Sequence, residues 1–138
     1  VGRGEKENEI KEKARQLKLD SSVEFLGVRN DVQDLLNAFD VFILPARFEG
    51  LGIVFIEAQA NGLSCFGSQR VIPDEVCVTN CMHFLPLDLS AADWATTICE
   101  ETLHRSPDAN SEVAYAGYDI RKAAVELLNY YKELCHEK

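Results

Sequence analysis

The chain has 138 residues, 46% hydrophobic and 27% charged, with 14 Lys+Arg against 23 Asp+Glu and a net charge of −9. These values exclude a disordered, collagenous or coiled-coil chain, and no apolar run approaches the roughly 20 residues of a membrane span. The acid excess argues against nucleic acid, whose phosphates need a clustered basic face, but leaves open a small anion held by backbone N–H groups at a helix start.

The opening Val1-Gly-Arg-Gly-Glu reads as neither a signal peptide nor a Met start, so a longer parent is expected. Five cysteines (Cys65, Cys77, Cys81, Cys99, Cys135) make an odd count without secretory context, which reads as reduced thiols in a cytosol. Cys77 and Cys81 are spaced to share a helix face. The histidines His83, His104 and His136 are scattered, so packed thiols are a better reading than a zinc site.

In chain order, Glu5 to Lys18 predicts a helix, with Ile10, Ala14 and Leu17 on one stripe and Glu7/Lys11 and Glu9/Lys13 as i,i+4 pairs. Val23-Glu-Phe-Leu predicts a strand ended by Gly27. Asn30 and Asp31 stand where a cap belongs, before a helix with Val32, Leu35, Leu36 and Phe39 on one face. The run Asp40-Val-Phe-Ile-Leu, stopped by Pro45, predicts a strand buried on both faces. Ala46 to Gly52 is a glycine-containing loop, Ile53 to Asn61 a helix, and Gly62 its C-terminal cap.

Ser64 to Gly67 is the next strand, Pro73 to Val76 a helical turn, and Met82 to Leu85 a fourth strand. Ser90 with Asp93 predicts a capping box for a helix carrying Trp94, Ile98 and Cys99. Ser106 to Ser111 reads as loop. From Asp119 onward, Ile120, Ala123, Ala124, Leu127, Leu128, Tyr131 and Leu134 keep helical period. Strands alternating with helices predict an α/β fold: a Rossmann-like parallel sheet with helices on both faces and ligands beyond the strand C-termini.

The informative stretch runs from Phe48 to Glu57. It follows a buried strand and opens a helix. Gly50 and Gly52 permit close approach and positive φ. The N–H groups of Gly50, Leu51, Gly52 and Ile53 precede the first intrahelical bonds and lie at the positive end of the helix dipole, a seat for phosphate or diphosphate. Glu49 lies just before that seat, and Glu57 is one turn beyond Ile53, on the same face. Two acceptor-only carboxylates beside an anion seat suit a ligand with hydroxyls on both sides of a diphosphate, as in a sugar nucleotide. A Glu before a helix is often a plain terminal charge and a mid-helix Glu is usually solvated, so spacing alone assigns neither.

The runs Phe25-Leu-Gly-Val-Arg-Asn-Asp-Val, Ala38-Phe-Asp-Val-Phe-Ile-Leu-Pro and Phe48-Glu-Gly-Leu-Gly-Ile-Val-Phe-Ile-Glu-Ala-Gln-Ala-Asn-Gly-Leu resemble family 4 of the retaining glycosyltransferases. Ala116-Gly-Tyr-Asp-Ile-Arg and the helix after it resemble a bacterial branch that builds exopolysaccharide or capsule. The resemblance implies that residues 1–138 are the C-terminal, donor-binding half of a GT-B enzyme, truncated at the N-terminus, whose first and central strand is absent along with the Arg and Lys that follow it.

It further implies that Glu49 contacts the transferred sugar and is the catalytic residue, that Glu57 contacts the ribose, and that the amides of Gly50 to Ile53 hold the diphosphate. Val28 and Arg29 are candidates near the base, and Arg47 and Arg70 near the diphosphate. Ser64 replaces a common Pro after Gly-Leu. No metal or other cofactor is expected, there being no Asp-x-Asp. The expected substrate is a nucleotide sugar, a UDP-sugar as the first guess for the base. The expected partner is an absent acceptor-binding half, which also makes any membrane contact. The implied location is the cytoplasm, at the inner face of the cell membrane for the whole protein, and the fragment alone is expected to be inactive.

The rival readings have weaker support. Gly2 and Gly4 begin a dinucleotide fingerprint, but position 7 is Glu. A glycoside hydrolase sets its carboxylates across the scissile bond, roughly 5 to 9.5 Å apart, whereas Glu49 and Glu57 serve one helix mouth. A receiver-like module needs acidic residues at strand C-termini, and Asp40 begins its strand. A non-catalytic sugar-nucleotide-binding or receiver-like signalling module is the alternative.

Overall fold

The computed structural model describes residues 1–101 and 105–136, the last by its backbone only. His104 and the side chain of His136 fall outside the described residues. The chain divides into two compact units, Val1–Leu35 and Leu36–Lys138.

In the first unit, α1 (Glu7–Gln16) buries none of its residues. Its stripe residues Ile10 and Leu17 are more than half exposed, so surface pairs support it. Lys11 bonds Glu7 one turn back and sits 5.4 Å over the Phe25 ring. The expected Glu9/Lys13 pair is not the one formed, since Glu9 pairs with Lys6 at 3.6 Å. Val23 to Leu26 is not a strand, which corrects the first of the four expected strands. No neighbouring segment among the described residues offers it a ladder: Gly2 N–H donates to Gly27 O at 2.7 Å, and that single bond does not make one. Gly27 has φ 62°, so the stretch does end where a glycine was needed.

Helix α2 (Val32–Ala38) follows. The second unit is built on a three-stranded parallel sheet: β1 (Val41–Leu44), β2 (Ser64–Ser68) and β3 (Met82–Leu85), in spatial order β1-β2-β3. Val41 pairs with Ser64, and Cys65 with Met82. Strand β2 is buried throughout. Strand β1 departs from the expectation of burial on both faces: at the sheet edge its neighbours cover it incompletely, and Ile43 is 43% exposed.

Helix α3 (Ile53–Ala60) packs on one sheet face, where Phe55 meets Phe42 edge to face at 5.2 Å. A Cβ on Gly67 would lie 2.9 Å from Phe55 Cζ and 2.8 Å from Met82 Cε, so this close approach excludes a side chain. Helix α4 (Ala91–Glu100) lies with Ile43 on the opposite face, lining one apolar groove with it. Its capping box forms as expected, with Ser90 Oγ accepting from Asp93 N–H and the Asp93 carboxylate from Ser90 N–H, both at 3.1 Å. Buried Trp94 donates to Pro86 O at 2.9 Å. Helices thus cover both faces, as the alternation of elements predicts.

Two further expectations change. The segment Ser106 to Ser111 is not wholly loop, because α5 (Ala109–Val113) starts within it and packs on α3 with Ala109 and Val113 buried. Cys77 and Cys81 do not share a helix: Cys77 ends the short 3-10 turn Asp74–Val76, and Cys81 precedes β3. Gly117, at φ 98°, breaks the backbone before α6 (Ile120–His136). There Asp119 accepts from Arg121 N–H at 3.0 Å, and the Arg121 guanidinium holds its carboxyl below the usual range. The apolar stripe of α6 forms but stands exposed, Ile120 at 78%.

The segment 105–106 stitches helix ends together. The Arg105 guanidinium donates to the carbonyls of Leu36, Asn37, Phe39 and Asn61 at 2.6 to 3.0 Å, a cation on otherwise unpaired C-terminal carbonyls. Gly62 has φ 73°, and a Cβ there would stand 2.6 Å from Ser106 O. Gly62→Ala should therefore lower the unfolding free energy in urea by about 1–3 kcal/mol, whereas Gly4→Ala, with open space around it, should stay within about 0.5 kcal/mol.

Burial pushes the Cys65 thiol up to about 12, with Cys81 adding to the shift. In the unfolded chain this thiol ionises near its ordinary value of about 8.5. Between those values the unfolded state binds fewer protons, so stability contributed below about pH 8.5 is lost as pH rises. The stability difference between wild type and Cys65→Ala should shrink above about pH 9 by up to about 1.4 kcal/mol per pH unit. Parallel urea titrations from pH 7 to 11 measure it.

Candidate donor-binding site

The loop from Pro45 to Gly52 leaves the C-terminal end of β1 and delivers the chain to α3. The turn is made at Gly52, with φ 72° and ψ 46° in the left-handed region. A Cβ there would lie 3.1 Å from Phe55 Cδ2 and 3.3 Å from Glu49 Cγ. Two constraints thus require glycine, and the second shows that the Glu49 side chain lies over the helix start.

Phe55 N–H donates to Gly52 O at 2.9 Å, the first bond into the helix. The N–H groups of Leu51, Gly52, Ile53 and Val54 have no acceptor among the described residues. The expectation of a free group at Gly50 is corrected, because its N–H donates to Glu49 Oε1 at 2.9 Å. The carboxylate, attached one residue earlier, folds back onto the nearest donor and is held at the loop.

Glu57 is exposed on α3, one turn beyond Ile53, which is 60% exposed. Both therefore lie on the solvent face, and the apolar face carries buried Phe55 and Ile56. Asn61 Nδ2 donates to Glu57 O at 2.9 Å, fixing the backbone at this carboxylate. Arg47 and Leu51 are exposed in the same loop. The structure thus gathers Arg47, Glu49, Gly50, Leu51, Gly52, Ile53 and Glu57 on one loop and one helix of the second unit.

Arg70 is exposed beyond the end of β2, at φ 63°. Val28, 67% exposed, and Arg29 belong to the first unit. Arg29 donates through Nε to Asp31 Oδ1 at 2.7 Å, which raises the guanidinium's pKa and lowers the carboxyl's. This pairing engages the guanidinium and diverts the Asp31 carboxylate from the capping role its position suggested.

Sequence reading missed Gln59. Fully buried on α3, it donates to Val76 O at 2.7 Å and Phe55 O at 3.1 Å and accepts from Thr79 N–H and Oγ1 at 3.1 and 2.9 Å. The signal was a polar residue four after Phe55, on the apolar face of the helix.

Residues 1–85 match the family model described as glycosyl transferases group 1. The chain is 36% identical over 126 residues to EpsF of Bacillus subtilis (strain 168), covering 89% of this chain and 33% of that protein. It is 41% identical over 69 residues to the UDP-Gal:alpha-D-GlcNAc-diphosphoundecaprenol alpha-1,3-galactosyltransferase of Escherichia coli, covering 49% of this chain and 18% of that one. The crystal structure of WaaG, a glycosyltransferase involved in lipopolysaccharide biosynthesis, superposes with a TM-score of 0.62 at 27% identity over 84% of this chain and 31% of that one. The chain spans at most about a third of the length of these relatives. With its α/β sheet, its glycine loop and these likenesses, the chain belongs to the glycosyl transferases group 1 family.

Proposed function

We propose that this chain is the donor-binding part of a retaining glycosyltransferase that moves a sugar from a nucleotide-diphosphate sugar to a polysaccharide or lipid-linked acceptor. One observation carries the reading: a row of N–H groups, Leu51 to Val54, unpaired among the described residues, opens α3 between two exposed carboxylates. Such N–H groups and the helix dipole favour a diphosphate and stabilise it further as it departs, when its charge grows. No metal ion is required of such a seat.

On this reading Glu49, held over the loop by Gly50 N–H, faces the transferred sugar as the catalytic carboxylate. Glu57 accepts hydrogen bonds from ribose hydroxyls. Arg47 and Arg70, in the same unit as the glycine loop, add positive charge. The Escherichia coli relative is named for a UDP-linked donor and a diphosphoundecaprenol-linked acceptor, which supports uridine as the base and a lipid-linked acceptor. Among the described residues no helix is long and apolar enough to cross a membrane. The acceptor surface is assigned to the part of the relatives' length that this chain does not span.

Calorimetric titration of the natural polypeptide that carries this chain, with a panel of sugar nucleotides, tests the reading. Glu57→Gln should weaken the bound donor by about 1–3 kcal/mol, through loss of charge-assisted hydrogen bonds, and barely change the melting temperature. A melting shift with unaltered affinity would assign Glu57 to the surface alone.

A second measurement concerns what residues 1–138 do by themselves. Much of the rate of sugar transfer comes from holding the acceptor hydroxyl against the anomeric carbon, and the glycine loop addresses the donor only. The isolated chain should release no nucleotide diphosphate from donor and lipid-linked acceptor, where the natural polypeptide turns over. Equal rates from the two would place the acceptor site within residues 1–138.

A further inference from the structure

We infer that Gln59 is a positioning residue for donor binding, setting the rotation of α3 about its axis and through it the direction of the Glu57 carboxylate. The inference rests on the reading of Glu57 as the ribose-holding group.

Gln59 is 0% exposed and uses both ends of its amide. Its nitrogen donates to Val76 O at 2.7 Å and to Phe55 O of its own helix at 3.1 Å. Its oxygen accepts from Thr79 N–H at 3.1 Å and Thr79 Oγ1 at 2.9 Å. Thr79 is itself buried, at 7% exposure, and its hydroxyl accepts from Cys81 N–H at 3.1 Å, at the entry to β3. The chain of bonds therefore runs from the inner face of α3 to the sheet.

The apolar contacts of α3 fix its distance from the sheet better than its rotation, because dispersion is non-directional and ring and aliphatic contacts tolerate small turns. Hydrogen bonds lose strength steeply with angle, so the three that leave the helix, to Val76 O and to Thr79 N–H and Oγ1, resist such turns. Glu57 is two residues earlier, on the opposite side of the helix. A rotation of about 15° swings a group about 6 Å from the axis by about 1.5 Å, and a misplacement near 1 Å costs on the order of a hundredfold where geometry is demanding. An ordinary buried apolar residue at position 59 would fill the space but leave Thr79 N–H and Val76 O unpaired and the rotation unspecified.

The experiment is a double-mutant cycle in the natural polypeptide, read by calorimetry with UDP or GDP, whichever wild type binds more tightly. Gln59→Met keeps the volume and removes the bonds. It should weaken nucleotide binding about tenfold, and raise the donor KM while the acceptor KM holds. In the Glu57→Gln background the same change should have little further effect, because its consequence runs through the carboxylate.

Val113→Ala, in α5, is the control for lost stability: it should lower the melting temperature comparably and leave nucleotide affinity unchanged. Should Gln59→Met fail to fold, Thr79→Val removes a single hydroxyl bond to the same amide and should give a smaller shift of the same kind. Unchanged affinity in folded Gln59→Met, or an equal loss in both backgrounds, would overturn the inference. If Glu57→Gln leaves affinity unaltered, the reading of Glu57 fails first. If Glu57→Gln weakens binding and Gln59→Met does not, only the positioning role fails.

Discussion

The Phe55 ring, fully buried, meets Phe42 edge to face and occupies the space that a side chain on Gly67 would need. The same ring lies within 3.1 Å of where a Cβ on Gly52 would be. One side chain thus fixes how close α3 lies to the sheet and how tightly the chain turns into it. The two glycines are the other half of that constraint, since each is small where Phe55 is large. A bulkier residue at either position would push the ring outward, and with it the start of the helix and its free N–H groups.

Polar bonds complete what the apolar contact leaves loose. The helix has eight residues, about 12 Å of length, and a helix that short is marginal in water without tertiary support. Its support is uneven along its length. At the C-terminal end the carbonyls are collected by Asn61 Nδ2 and by Arg105, and the left-handed Gly62 sits against Ser106. Gln59 adds the inner tie to Thr79 and Val76. At the N-terminal end, the amides from Leu51 to Val54 are left without acceptors among the described residues. In water such groups cost little, because solvent satisfies them.

The sequence made this much legible because the local rules and the fold agree there. Strand β1 before Pro45, the glycines of the loop, α3 ending at Gly62 and the Ser90–Asp93 box each follow from short-range chemistry, and each forms where expected. Pairing partners are another matter. Val23 to Leu26 has the composition of a strand, but a strand exists only with a neighbour to bond, and the described residues give it one bond through Gly27. The exposure of Ile43 follows from a position at the sheet edge, which composition does not encode. Within the site, the backbone amides were readable from a glycine loop that opens a helix, whereas the two glutamates were singled out by the family resemblance and not by their spacing. The return of Glu49 onto Gly50 N–H was not readable, because it depends on a side-chain rotamer. Gln59 was hidden for a different reason: its partners lie 17 and 20 residues away, and no local pattern links them.

The unevenness along α3 has a functional logic. Fixing a helix at both ends would satisfy its amides internally and leave nothing for an anion to bind. Fixing it only by apolar packing would leave the direction of its side chains loose. Here the stabilising bonds gather at the C-terminal end and the inner face, while the solvent face and the N-terminal end carry Ile53, Glu57 and the unpaired N–H groups. Stability and binding therefore draw on different groups of the same eight residues. Glu49 bridges the two regimes: its backbone belongs to the loop that Gly52 and Phe55 shape, and its carboxylate stays at the surface, held by a single amide. A ligand offering hydroxyls to that carboxylate and phosphate oxygens to the amides beyond it would replace water rather than protein, so the packing that holds the helix need not be undone for the site to fill.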